Sequence, residues 1–372
     1  MARKLKSDKW LFLATFLLVC LSVVMVYSAS AVLAMERMGN PYYYLFKQGT
    51  WAALGLFMLW VVMRIDYRNL RQPVVIWTAL GVVGVALVLV LFMPARNGSH
   101  RWFAMFGITL QPSELAKLAI ILFTAALLER RMHRIDDLGY SLVPIGIGTG
   151  LLAGLVLIEP DFGTAISILA IVCVMIFAAG ISYRYIVGTA LVMLPVLATV
   201  LLAAPYRRRR VLSFLNPEAD PLGSGYQAIQ SKIAVGKGGV LGEGLMDGTQ
   251  KLFYLPEPHT DFIFAVIGEE LGLIGATLIV ICFAVIAWRG YRAAALAPDR
   301  FGAFLAIGLT TMIVLQAFFN ISVVLGLVPN KGIALPFVSS GGSSLLISLI
   351  SMGILLNVSQ HASASSAAWD TR

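Results

Sequence analysis

Apolar and polar residues are segregated along this chain in long blocks rather than in short periods. An apolar run from Trp10 to about Ala34 is followed by others near 45–63, 74–93, 113–128, 140–158, 162–180, 183–204, 262–288, 302–327 and 340–358. Each approaches or exceeds the roughly 20 residues that carry an α-helix across a bilayer. None shows the short alternating segments of a membrane β-barrel. The pattern predicts an all-α polytopic membrane protein with ten transmembrane helices. One polar interval is far longer than the rest. It spans about 205–260, a single large loop between helices 7 and 8.

Composition agrees with this class. Of 372 residues, 59% are hydrophobic and 13% charged, about half the charge of an ordinary soluble domain. The net charge of +9 is distributed as a topology signal. Arg3, Lys4, Lys6 and Lys9 precede the first helix. Arg64, Arg68 and Arg71, then Arg130, Arg131 and Arg134, Arg184, and Arg289, Arg292 and Arg300 fall at alternate boundaries. The opposite boundaries hold only Arg37, Arg96, Arg101 and Lys331 outside the large loop. Basic loops stay inside, so both termini are expected in the cytoplasm and the large loop outside it. Arg207-Arg208-Arg209-Arg210 is the exception. These arginines are read either as headgroup anchors or as contacts to an anionic partner. No basic soluble face points to nucleic acid.

Ala29-Ser30-Ala31 resembles a signal-peptidase site, but the run is long and many spans follow, so the first helix is expected to be retained. Cys20, Cys173 and Cys282 lie singly in apolar runs, without metal or redox spacing. No repeat or domain boundary is evident. Residues 1–372 are expected to form one transmembrane domain with a disordered tail over about 359–372.

Within the loop, Tyr226 to Ile233 predicts a short interfacial helix. Gly236-Lys237-Gly238-Gly239-Val240-Leu241-Gly242-Glu243-Gly244 lacks the ending of a P-loop and is expected to supply positive-φ turns. Long loops of this kind are usually functional.

Candidate chemistry gathers where that loop meets the eighth run, at Leu255-Pro256-Glu257-Pro258-His259-Thr260-Asp261. An acid at a membrane boundary needs a partner or a task. Asp261 beside Thr260 is read either as a helix cap or as a general base. Glu269 and Glu270 lie about 12 Å further along the same helix and are expected to be paired or protonated. Glu114 and Lys117 follow Pro112 at a spacing that lets them meet on one helix face. They are read as a self-neutralised pair or as a phosphate-facing lysine with its orienting acid. Asp161 opens the sixth run as a cap or as a second acid of the same cleft. Glu114, Asp161 and Asp261 all open helices on one side, which argues for a cleft there. Lys331 is a lone cation in the last outer loop. Ser339 to Ser344 are small residues suited to helix packing or to a phosphate.

These segments together resemble the SEDS family (shape, elongation, division and sporulation), its FtsW branch more than its RodA branch. The resemblance is carried by Gln111-Pro112-Ser113-Glu114, Pro160-Asp161-Phe162-Gly163-Thr164, Asp220-Pro221-Leu222-Gly223-Ser224-Gly225-Tyr226-Gln227, the Leu255–Ala265 stretch, Glu269-Glu270-Leu271-Gly272 and Gly341-Gly342-Ser343-Ser344. Lys331-Gly332-Ile333 carries the tilt to the first branch. The chain departs from the family with Glu159 in place of Gln and Ser340 in place of Tyr.

The resemblance implies an inverting peptidoglycan glycosyltransferase that polymerises lipid II outside the bacterial cytoplasmic (inner) membrane. Asp261 would occupy the family's catalytic position. Glu114, Lys117, Asp161, Arg207, Arg210, His259, Lys331 and Ser343 would serve substrate binding. A divalent cation, Mg or Mn, and no organic cofactor would be involved. Implied partners are a class B penicillin-binding protein (an FtsI-like transpeptidase), other divisome proteins and membrane lipids. A lipid II flippase, a RodA-like elongation polymerase and a non-catalytic scaffold are the alternative readings.

Overall fold

A computed structural model describes residues 7–94, 100–105, 108–135, 137–203, 205–223 and 225–369. Helices occupy all ten apolar runs. They are α1 (Lys9–Met38), α2 (Tyr43–Val62), α3 (Pro73–Val90), α4 (Pro112–Arg131), α5 (Val143–Ile158), α6 (Phe162–Ala178) and α7 (Tyr183–Ala203). Then come α8 (Pro205–Leu215) and α9 (Tyr226–Lys237) in the large loop, followed by α10 (Ile263–Ala295), α11 (Arg300–Val324) and α12 (Gly342–Trp369). A small hairpin of β1 (Phe103–Met105) and β2 (Ile108–Leu110) precedes α4.

Seven helices among the described residues are long and apolar enough to cross a membrane: α1, α2, α3, the stretch Leu138–Ile158 ending in α5, α10, α11, and α12 over Gly342–Ala362. Helix α6 is shorter, and α4 carries charges at both ends. Local chemistry sets several boundaries. Asp8 caps α1 by accepting from the Trp10 and Leu11 amides, and Gly39 ends it at φ 68°. Pro112 opens α4 at the position a missing N–H tolerates. Asp299 caps α11 through the Gly302 amide.

Helix α11 is the hub. It packs against α4, α6, α10 and α12, while α1 and α2 close the bundle against α10 and α12. Among those seven, α11 and α12 have most of their apolar window buried, whereas α2 and α3 bury little of theirs. Exposed apolar helix faces of this kind belong against lipid. Helix α12 continues to Trp369, across most of the stretch read from sequence as a disordered tail.

Two features of the large loop differ from expectation. The arginine run lies on a helix, α8, rather than in a loop, because Arg and Leu are good helix formers. The loop also folds back into the bundle. Helix α10 is broken at Gly272 (φ 63°, ψ −160°), and the glycine run fills the break. The amides of Glu243 and Gly244 donate to the carbonyls of Glu269 and Glu270, at 3.0 and 3.1 Å. The Leu273 and Ile274 amides donate back to Gly239 and Val240. A Cβ at Gly242 would collide with the Glu270 carbonyl, and one at Gly272 with the Gly242 amide. A broken helix at such a position holds only where protein satisfies its freed groups.

The same return satisfies both acids. Glu269 accepts from the Thr249 and Gln250 amides at 2.9 and 3.1 Å. Glu270 accepts from Lys251 Nζ at 2.6 Å, from Ser28 Oγ on α1 at 2.7 Å and from the Met246 amide at 3.1 Å.

Candidate active site

Asp261 lies just ahead of α10, which starts only at Ile263 with Phe262 as its uncapped first boundary residue. The cap reading is therefore corrected. Thr260 Oγ1 donates to the Glu257 carbonyl at 3.3 Å instead of capping. Asp261 is half-buried, and its carboxylate makes no hydrogen bond or ion pair among the described residues. Burial first, and then Glu257 and Asp161, push its pKa up to about 6, while Arg210 and Arg101 pull it down.

The backbone around Asp261 is held from two sides. Asn320 on α11 donates from one Nδ2 to the Asp261 carbonyl (2.8 Å) and to the Ile333 carbonyl (2.7 Å). One turn earlier, Gln316 Nε2 donates to the Ala334 carbonyl at 2.9 Å. Ser339 Oγ donates to the Thr260 carbonyl at 2.6 Å, and the Ser340 amide to the His259 carbonyl at 2.9 Å. Glu257 and Phe337, on the two facing loops, take positive φ of 50° and 64°. Strained backbone of this kind concentrates at working sites.

The loop from Asn330 to Ala334 forms the opposite wall. Gly332 abuts the Asp261 carboxylate, where a Cβ would overlap Oδ2. Lys331 extends to the start of α6, with Nζ 5.1 Å from the centre of the Phe162 ring. A Cβ at Gly163 would meet the end of that side chain, so the lysine lies directly over the glycine. From α8, Arg210 Nη1 donates to the Asn330 carbonyl at 3.3 Å. Arg101, just before β1, donates from Nε to the Glu159 carbonyl at 3.0 Å and from Nη2 to the Pro160 carbonyl.

The remaining expected residues support this wall. Asp161 caps α6, accepting from Thr164 N (3.2 Å) and Thr164 Oγ1 (2.8 Å), and also accepts from Gln111 Nε2 (3.1 Å). The Gln111 amide donates to Ser343 Oγ at 3.4 Å, which ties α12 to α4. Lys117 Nζ is buried between Glu114 Oε1 (2.9 Å) and Gln316 Oε1 (2.7 Å). The self-neutralised reading of that pair fits, and a phosphate-facing lysine does not. His259 is buried against the Tyr44 ring, centroids 4.5 Å apart, rather than beside the Asp261 carboxylate. Burial lowers its pKa, with Arg37 and Lys47 adding to this and Glu257 opposing it. The side chain of Arg207 and the whole of Arg96 lie outside the described residues.

A family model described as "Cell cycle protein", covering FtsW, RodA and SpoVE, matches residues 8–364. The chain belongs to this family, the SEDS proteins. It is 44% identical over 361 residues to "Probable peptidoglycan glycosyltransferase FtsW" of Geobacter metallireducens, covering 95% of each chain. It is 43% identical over 365 residues to "Stage V sporulation protein E" of Bacillus subtilis, covering 96% of this chain and 98% of the relative. A solved structure described as "Structural coordination of polymerization and crosslinking by a peptidoglycan synthase complex" aligns with a TM-score of 0.78. It shares 30% identity and covers 96% of this chain and 99% of its own.

In this SEDS chain the structure brings the loop that carries Lys331, held by Arg210 through Asn330, against Asp261, and places Glu114, Lys117, Asp161 and Ser343 behind it. Sequence reading overlooked Arg101, Gln316 and Asn320. The last two carried a usable signal, being amides four residues apart in an otherwise apolar run. Arg101 follows a polar stretch and reads from sequence only as a topology charge.

Proposed function

We propose that this chain polymerises lipid II beside Asp261, with that carboxylate as general base. The chain is a peptidoglycan glycosyltransferase of the SEDS type. The 4-hydroxyl of the acceptor's N-acetylglucosamine attacks the anomeric carbon of the donor's N-acetylmuramic acid. The bond from that carbon to the pyrophosphate oxygen breaks, and undecaprenyl pyrophosphate leaves with the bonding pair. The hydroxyl proton passes to Asp261. Attack opposite an α-linked leaving group yields a β-1,4 bond with inversion.

One observation carries this reading: the Asp261 carboxylate, held near pKa 6 and without a hydrogen bond or ion pair among the described residues, lies against the loop that carries Lys331. A base works best with its pKa close to the operating pH. Lys331, Arg210 and Arg101 would supply the charge stabilisation that the pyrophosphate needs. Glu114, Lys117 and Gln316 position the wall, and Ser343 braces it through Gln111. Among the described residues no three His, Cys, Asp or Glu side chains converge as a metal site. The expected Mg or Mn ion therefore has no ready ligand set, and no step is routed through it.

The ten-span topology, with both termini cytoplasmic, Asp261 on the outer side and the chain in the cytoplasmic membrane, is supported by the helices in every apolar run and by the placement of arginines. A class B penicillin-binding transpeptidase is the partner we propose, acting in septal wall synthesis with other divisome proteins. The synthase complex that this fold resembles supports that pairing. Transport of lipid II loses its main motive, since Glu269 and Glu270 are both spent on the returning loop.

The test is Asp261→Asn in purified protein supplied with labelled lipid II. Polymer on a gel should disappear while expression and monodispersity persist. Normal polymer from the variant overturns the assignment.

A further inference from the structure

Helix α4 begins beside the Asp261 wall and ends at the opposite face of the bundle, where a basic recess lies. The link between α2 and α3 meets the end of α4 around a recess of about 470 Å³. Its lining includes Arg68, Asn69, Arg71, Gln72, Glu129 and Arg130. Three positive charges therefore face one negative charge. Arg71 Nη1 donates to Glu129 at 3.2 Å, and Arg68 Nε donates to Asp299 at 3.3 Å. Arg130 makes no ion pair or hydrogen bond among the described residues, and the side chains of Asn69 and Gln72 make none either. Helix α3 points its start into the recess. Gln72 gives it no side-chain cap, and Pro73 follows at the first position. The uncapped amides and the helix dipole favour an anion there.

The surroundings say where that anion comes from. Val74 and Trp77 on α3 are 74% and 66% exposed, so an apolar lipid-facing strip begins directly at the recess. Trp77 packs edge-on against Phe123 of α4, centroids 6.0 Å apart, and closes the seam beneath. Arg64 lies 3.8 Å over Trp60 on α2, and Arg289 5.7 Å over Trp288 on α10. Exposed tryptophans paired with arginines mark the level of the lipid headgroups.

We infer that this recess binds one anionic phospholipid, its phosphate held by Arg130 and Arg71 at the α3 N-terminus and its acyl chain along Val74 and Trp77. Basic pockets between membrane helices take such headgroups. The volume suits a phosphoglycerol unit. The site is separate from Asp261 and does not depend on what happens there.

The test uses the full chain, purified in detergent, offered equal phosphatidylglycerol and phosphatidylcholine, and weighed by native mass spectrometry. The wild-type chain should retain phosphatidylglycerol in excess. Arg130→Gln removes a side chain with no partner among the described residues and should cut that excess about fivefold, as losing one arginine contact at a membrane surface does. Arg134→Gln, on the same face but outside the recess, should leave it unchanged. Equal losses in both variants would mean diffuse surface charge and overturn the site, as would full retention by Arg130→Gln. Displacement of the lipid by an equal concentration of inorganic phosphate would assign the recess to a soluble anion and overturn the lipid.

Discussion

Residue 332 faces Asp261 so closely that any side chain there would overlap the carboxylate. The glycine is needed for that contact and not for its backbone, since it does not take a positive φ. The loop carrying Lys331 can therefore lie directly over the proposed base.

Gly332→Ala should displace the carboxylate while leaving the apolar bundle intact. A shift of about 1 Å at a reacting group costs on the order of 100-fold in rate. Polymerisation by the purified variant measures this, with melting temperature as the control. An unchanged rate would show that the wall and the base do not act together.

The pH dependence of turnover should report Asp261. The carboxylate is the active form, and its pKa is about 6. Activity should therefore be flat above neutrality and fall about tenfold for each unit below pH 6. Initial rates from pH 5 to 8 give the profile. A rate that holds at pH 5 would count against this base.

Glu159 predicts a pH-dependent stability. Its carboxyl is fully buried with no hydrogen bond, and burial, aided by Asp161 and opposed by Arg101, raises its pKa from 4.5 to about 8. Between those values the unfolded chain ionises this group and the folded chain does not. Wild-type stability should thus decline as pH rises from about 4.5 to 8. Glu159→Gln keeps the site neutral and removes that part of the decline. Melting curves of both proteins should coincide near pH 4.5 and separate with rising pH, the variant higher.

Lys251 should matter for stability rather than chemistry. Its ammonium is buried against Glu270 at 2.6 Å. Lys251→Met strands a buried carboxylate, at a cost of about 3–5 kcal/mol. Adding Glu270→Gln should recover much of the loss. A double variant no better than the single would show that the lysine serves another contact.

The helices were legible because each apolar run is long and locally determined. Asp261 stood out for a simple reason, an acid at the end of a polar loop. The break in α10 did not show, since Leu271-Gly272-Leu273 sits in an apolar run that reads as continuous helix. What breaks it is contact with residues from a distant loop, and periodicity carries no record of such contacts. Lys117 shows the same limit. Its spacing from Glu114 revealed one partner, but Gln316 comes from another helix, and only the folded bundle reveals that the lysine is fully occupied.

The gap at Gly272 bears on how the molecule is built. Residues 239–244 leave the ribosome before α10 does, and they must re-enter the bundle for that helix to be bonded throughout. Membrane insertion alone thus leaves α10 unfinished. That helix is complete only once the loop segment has docked into its break.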